Sequence, residues 1–188
     1  MIREDSLALD TRRHIYNAIV RYPGLHEREL ARKLDMSLST LDYHLHYLAK
    51  RDIIVFRKDG RYTRYFATRK VGREDKKIIA ILRQNTPRAM VLYLLTRPNA
   101  IHKEIAKSVG KSPSTVSFHL KKMVGVGIVE AVSLGRETAY HIADEDKVVN
   151  TLLTYKETFV DDAVDRFIDT WTSLHPNGGE ETEDVLED

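Results

Sequence analysis

The chain writes nearly the same nine residues twice, SLSTLDYHL at 37–45 and SPSTVSFHL at 112–120, 75 positions apart. Sliding the sequence along itself by 75 aligns residues 9–68 with 84–143 without a gap, and 15 of those 60 positions are identical. Among them are Pro23/Pro98, Glu29/Glu104, Ser37/Ser112, His44/His119, Gly60/Gly135, Arg61/Arg136 and Tyr65/Tyr140. This period is longer than that of most stacked solenoid repeats, and two copies would not build a solenoid. Two domains of one kind are the economical reading, and a chain of 188 residues with 42% apolar composition has room for two small cores.

Each copy reads as helix, helix, turn, helix, hairpin. In residues 10–22, Ile15, Ala18, Ile19 and Tyr22 form a helical stripe that Pro23-Gly24 ends. A short second helix follows, with Leu30, Ala31 and Leu34 facing inward. After a tight turn at 35–37, Ser37 is placed to cap a third helix by accepting an orphan backbone N–H. There Leu41, Leu45 and Leu48 recur at the spacing of a buried face. The period then changes to a β-branched and aromatic run split by Asp59-Gly60, a hairpin signal. Copy two predicts helices at 87–97, 101–109 and 112–124 and strands near 128–133 and 138–142.

Charge is segregated. Residues 1–143 carry a net +13 and residues 144–188 a net −11, so a basic body suited to a polyanion carries an acidic extension that is not. The chain has no cysteine, which excludes disulfides, thiolate metal sites and cysteine nucleophiles. No run of 18 apolar residues offers a membrane span, and the charged start MIREDSLALDTRR lacks the apolar core of a secretory signal. A cytoplasmic protein is expected. No HExxH spacing or Gly-rich phosphate loop is present, and His44 and His46 diverge by about 200° on a helix. No enzyme, metal or cofactor is predicted. The recurring His44 and His119 read as imidazoles packed at the core edge and hydrogen-bonded to nearby backbone.

Each copy resembles a winged helix-turn-helix of the ArsR/MarR type, through SLSTLDYHLHYLAKRDII and, more closely, SPSTVSFHLKKMVGVGIV, each followed by a hairpin. Asp42 and Asp52 depart from the pattern, where the family often has a small residue and a glycine. The tandem arrangement is similar to two-winged-helix transcription regulators common in archaea. The resemblance implies a mainly α, α+β fold with small β-hairpins, and a regulator that binds double-stranded DNA. The domains are expected as a first winged helix (1–70), a linking helix (71–85), a second winged helix (86–143), a long amphipathic C-terminal helix (144–176) and an acidic disordered tail (177–188).

In helix-turn-helix docking the third helix enters the major groove. With its leucines inward, the outward residues expected at base edges are Ser39, Thr40, Asp42, Tyr43 and His46, and in copy two Ser114, Thr115, Ser117, Phe118 and Lys121. Asp42 could accept from a cytosine amino group or pair with His46 one turn on. Backbone contacts are expected from Arg57, Lys58, Arg61 and Arg64 on the first wing, and from Lys111, Lys122 and Arg136 in copy two. A cationic edge of this kind can also simply protect an exposed strand.

The C-terminal stripe of Val149, Leu152, Phe159, Phe167 and Trp171 is expected to build a homodimer; packing on the chain's own domains is the alternative. Beside the sequence-specific regulator stand two rivals. One is a sequence-tolerant chromatin or architectural protein, and the other is a winged-helix module that meets an acidic protein partner.

Overall fold

The computed structural model describes residues 2–159 and 161–174. The tail 177–188, predicted to be disordered, lies outside the described residues. The first unit comprises α1 (Ile2–Arg21), α2 (Glu27–Leu34), α3 (Leu38–Lys50) and the hairpin β1 (Ile54–Asp59) and β2 (Tyr62–Ala67). A linking helix, α4 (Arg73–Leu82), leads to α5 (Asn85–Thr96), β3 (Ala100–Ile101), α6 (His102–Val109), α7 (Pro113–Gly125), β4 (Val129–Leu134) and β5 (Glu137–Ile142). The chain continues through α8 (Glu145–Thr154), a 3₁₀ turn at Lys156–Thr158 and α9 (Asp162–Leu174). The fold is mostly helical, with two small antiparallel sheets of order β1-β2 and β3-β5-β4.

The repeat is reproduced in local detail. Ser37 caps α3 by accepting from the Thr40 N–H at 3.1 Å, and Ser112 caps α7 by accepting from the Thr115 N–H at 3.3 Å. Inside α3, Leu41, His44, Leu45 and Leu48 are buried, and inside α7 Val116, Leu120 and Met123. The short β3 strand was not legible in the sequence. Its residue Ile101 pairs with Ala139, and the equivalent positions in unit one, His26 and Arg64, form a single bridge. Asp52 adopts a left-handed φ of 55°, where its counterpart Gly127 has 75°. That geometry explains why the family favours glycine there, and aspartate is among the residues that tolerate it.

Two hydrophobic cores meet across the first hairpin. Strand residues alternate between faces, so the register places Ile54, Tyr65 and Ala67 on one side and Val55, Arg57, Asp59, Arg64 and Phe66 on the other. The first set closes the core of unit one with Ile15, Ile19, Leu30, Leu41 and Leu45. The second set turns toward unit two: Phe66 is fully buried in a core that also holds Ile79, Leu82, Met90, Leu94 and Ile105, and Val55 packs against it. Helix α4 lies within the same seam. All of Ile78–Leu82 is buried. A helix apolar on every side must be covered on every side.

The predicted single helix over 144–176 is instead two helices joined by a bend. Tyr155 ends α8, and Asp161 accepts from the Ala163 N–H at 2.9 Å at the start of α9. The buried Arg88 reaches Asp161 from α5, donating from Nε at 2.7 Å. The bend lets Val149, Leu152, Phe159 and Val164 all enter the second core. Of the predicted dimerisation residues, then, Val149, Leu152 and Phe159 are buried within the chain itself. Phe167 and Trp171 pack against the same core, half-buried, with ring centroids 5.6 Å apart. Each fully buried side chain of this size is worth roughly 1.5–3 kcal/mol, which favours closing the stripe onto the second core.

Candidate nucleic-acid interface

The third helix of each unit presents the face expected from its periodicity. Tyr43 on α3 is 63% exposed and its counterpart Phe118 on α7 is 65% exposed, although both are large and apolar. Each ring stands edge-on to the imidazole that follows it, Tyr43 on His44 at 5.1 Å and Phe118 on His119 at 5.2 Å between centroids. The recurring histidines therefore support the exposed aromatics from the core side. Their Nδ1 atoms are buried without a hydrogen-bond partner, so the expected bond to backbone is not made. Burial, and then the nearby charge of Arg12, holds the His44 imidazole below its ordinary value. Burial and then Lys122 do the same for His119. Both are neutral packing groups near pH 7.

Around the aromatics, Ser39, Thr40, Ser114, Ser117 and Lys121 are exposed or nearly so. Several are already held by neighbours. The Thr40 and Thr115 hydroxyls each lie 2.8 Å from the cap hydroxyl of Ser37 or Ser112. Ser117 Oγ lies 2.9 Å from His102 Nε2 on α6. Asp42 pairs with His46 on the outer face of α3, with Nδ1 3.1 Å from Oδ1, the intrahelical partnership weighed from the spacing. This exposed pair tempers the carboxylate on an otherwise neutral or basic face.

The two wings differ more than their shared topology suggests. Lys58 and Arg61 on the first hairpin are exposed, with Gly60 forming the tip at a φ of 61°. Arg57 is half-buried. Arg64, expected at the DNA backbone, is buried instead: its Nε donates to Asp59 Oδ2 at 2.8 Å and its Nη1 to the Gly24 carbonyl at 3.0 Å. Its position on the inward face of the hairpin dictates this. Lys122 also differs from expectation. It donates to Asp59 Oδ1 at 2.6 Å and is half-buried. The second wing exposes Arg136 beside the apolar Val132 and Leu134, and Lys111 is exposed ahead of α7.

A further cationic feature flanks α3. The Arg12 guanidinium of α1 stacks 3.6 Å from the Tyr47 ring centroid, and Arg51 lies 4.6 Å from it. Tyr47, half-buried on α3, therefore has two guanidiniums stacked on its ring. Such cation–π stacking holds both charges in place. A comparison of Tyr47 with its counterpart Lys122 could have flagged the position, since both sit at the same place on the third helix yet differ in type.

Among the described residues no group of three His, Asp or Glu side chains could hold a metal ion, and no helix is long and apolar enough to cross a membrane.

Two family models match in tandem: an N-terminal HTH domain over residues 9–79, and the bacterial regulatory protein, arsR family, over residues 86–131. An uncharacterized HTH-type transcriptional regulator of Methanocaldococcus jannaschii is 36% identical over 139 residues, covering 74% of this chain. The chain spans only 35% of the length of that curated relative. Among solved structures, the homodimeric winged helix-turn-helix DNA-binding domain from Mycobacterium bovis shares 26% identity, covering 43% of this chain and 74% of that one, with a TM-score of 0.38. An ArsR-like transcriptional regulator from Rhodococcus sp. RHA1 shares 25% identity, covering 54% of this chain and 92% of its own, with a TM-score of 0.36.

Proposed function

We propose that this chain, matched in tandem by two helix-turn-helix family models of which the second is the arsR family, reads specific sequences in double-stranded DNA, using both winged helices, to regulate transcription. One observation carries the reading: two capped helices at equivalent places in the repeat expose an aromatic ring, Tyr43 and Phe118, to solvent. An isolated exposed aromatic is ordinary, but one at the same place in both copies, edge-on each time to an imidazole that is buried in His44 and half-buried in His119, is a built contact surface. In the major groove such a ring lies against a thymine methyl, and the neighbouring hydroxyls reach base edges. The surrounding Lys50, Lys58, Arg61, Lys111 and Lys121 supply the phosphate attraction.

Binding to duplex DNA should tighten steeply as salt is lowered, because each neutralised phosphate releases counterion. Arg61→Ala should weaken binding to all sequences alike. Tyr43→Ala should relax preference at particular bases by roughly 1–3 kcal/mol. Sites are found by selecting bound fragments from a random DNA pool. Equal losses on selected and random DNA for Tyr43→Ala would favour the architectural reading. No binding at about 50 mM salt by the folded chain would favour a protein partner, and the second wing, with Val132 and Leu134 exposed, is where such a partner would be sought.

A homodimer belongs to the same proposal. With the C-terminal stripe engaged in its own core, the apolar side chains free to meet a second copy include Leu9 on α1 and Leu174 on α9. Light scattering at tens of micromolar distinguishes dimer from monomer.

A further inference from the structure

The Asp59 carboxylate joins four segments. Its Oδ2 accepts from Arg64 at 2.8 Å and from Gln84, between the linking helix and α5, at 3.0 Å. Its Oδ1 accepts from Lys122 at 2.6 Å, on the reading helix α7 of the other unit. Through Arg64 it also reaches the Gly24 carbonyl in the α1–α2 turn. The side chain is only 7% exposed. Burial pushes this carboxyl up, but the hydrogen bonds and charges of Lys122 and Arg64 outweigh it and hold the group below the ordinary aspartate value. A buried carboxylate with one oxygen on each unit is a stiff link, since withdrawing either partner strands a charge in the seam.

The repeat itself shows where this link was built. Asp59, Arg64, Phe66 and Lys122 correspond, 75 residues away, to Leu134, Ala139, His141 and Tyr47. None of the four is kept in the other copy, whereas Gly60, Arg61, Thr63 and Tyr65, interleaved with them on the hairpin, are all kept.

Resting on the DNA-reading function proposed above, we infer that Asp59 is the positioning residue that fixes α7 relative to the first unit, and with it the separation and helical phase of the two DNA subsites the chain recognises. A rigid pair of readers tolerates one spacing. Each base pair inserted between subsites rotates the second by about 34° and moves it about 3.4 Å, from a turn of 10–10.5 base pairs. Readers joined loosely would follow such shifts.

The test uses the full chain. Asn17→Cys on α1 and Ser108→Cys on α6, both exposed, give two unique sites for spin labels because the natural chain has no cysteine. The chain should show one narrow distance between labels. Lys122→Met, which leaves Arg64 paired with Asp59, and Asp59→Asn should each broaden or displace it while retaining helical content. In parallel, duplexes carrying the selected site with two or three base pairs inserted between its halves are titrated. The unsubstituted chain should lose at least about tenfold in affinity on insertion, and Lys122→Met less than about threefold, a contrast of rigid against flexible linkage. A distance distribution unchanged in both variants overturns the role of Asp59. Indifference of the unsubstituted chain to insertion overturns the fixed spacing while leaving DNA reading intact. Failure to bind any duplex overturns the DNA reading and the spacing with it, and the label distances then report on the link alone.

Discussion

Gly24→Ala should be far more costly than its conservative look suggests, and the cost divides into two parts. Gly24 sits in the α1–α2 turn at a φ of 80°, where a side chain is strained. By the general cost of left-handed backbone this contributes about 1–2 kcal/mol. A Cβ there would also lie 2.8 Å from Ile79 Cγ2 and 3.2 Å from Arg83 Cδ, in the seam against the linking helix. Ile79 is fully buried and has nowhere to retreat, so overpacking adds about 1–3 kcal/mol. The hairpin tip supplies the control. Gly60 has a φ of 61° and nothing within 4 Å of its would-be Cβ, so Gly60→Ala carries the backbone part alone. Urea unfolding followed by circular dichroism should place Gly24→Ala below Gly60→Ala by roughly 0.4–1.2 M in midpoint, for a slope of about 2.5 kcal/mol/M. Ile79→Ala should recover part of the difference in a double-mutant cycle. Equal costs for the two glycine substitutions would refute the contact between the α1–α2 turn and the linking helix.

Other expectations concern titration, backbone and salt. His44 and His119 have folded-state values below 6.5 because they are buried; the unfolded chain therefore binds more protons as pH falls below about 6.5, and stability should decline from pH 7 toward 5. Denaturation midpoints at pH 7.5 and 5.5 check the sign, and His44→Asn with His119→Asn should flatten the slope; a midpoint that rises on acidification contradicts it. Asp59 and Asp161 are held below the ordinary 3.8, so the stability they contribute is present above that pH and lost as pH falls through their lower folded values. Asp52→Gly should stabilise the chain by about 0.5–1 kcal/mol, since it relieves a left-handed φ at an exposed site; a lower melting temperature would count against this. For DNA binding, Arg61→Ala should reduce the slope of log affinity against log salt by about one, measurable by anisotropy titration; an unchanged slope would remove the first wing from the phosphate contacts.

The sequence by itself determined the units and much of the exposed face of α3 and α7. Residue periodicity fixes which side of α3 and α7 is buried, because Leu41, Leu45 and Leu48, or Val116, Leu120 and Met123, can share a core only on one face. The outward placement of Tyr43, Phe118, Ser39 and His46 follows from that geometry. Ser37 and Ser112 announced the helix starts because capping is local. Everything that depended on what lies opposite a residue was decided only by tertiary structure. Arg64 reads as one more wing cation, but strand alternation and the neighbouring unit place it inward against Asp59. Lys122 reads as a phosphate contact, but its Nζ ends on the same carboxylate. The C-terminal stripe reads as a surface awaiting a second copy, because an amphipathic pattern states that an apolar face must be covered and does not say by what. Here a bend before Asp161, anchored by Arg88, folds that stripe onto the second core. The physical reason is common to all three: periodicity is set by a residue's own neighbours along the chain, whereas the partner of a face or a charge is set by whichever surface the rest of the fold brings within a few ångströms.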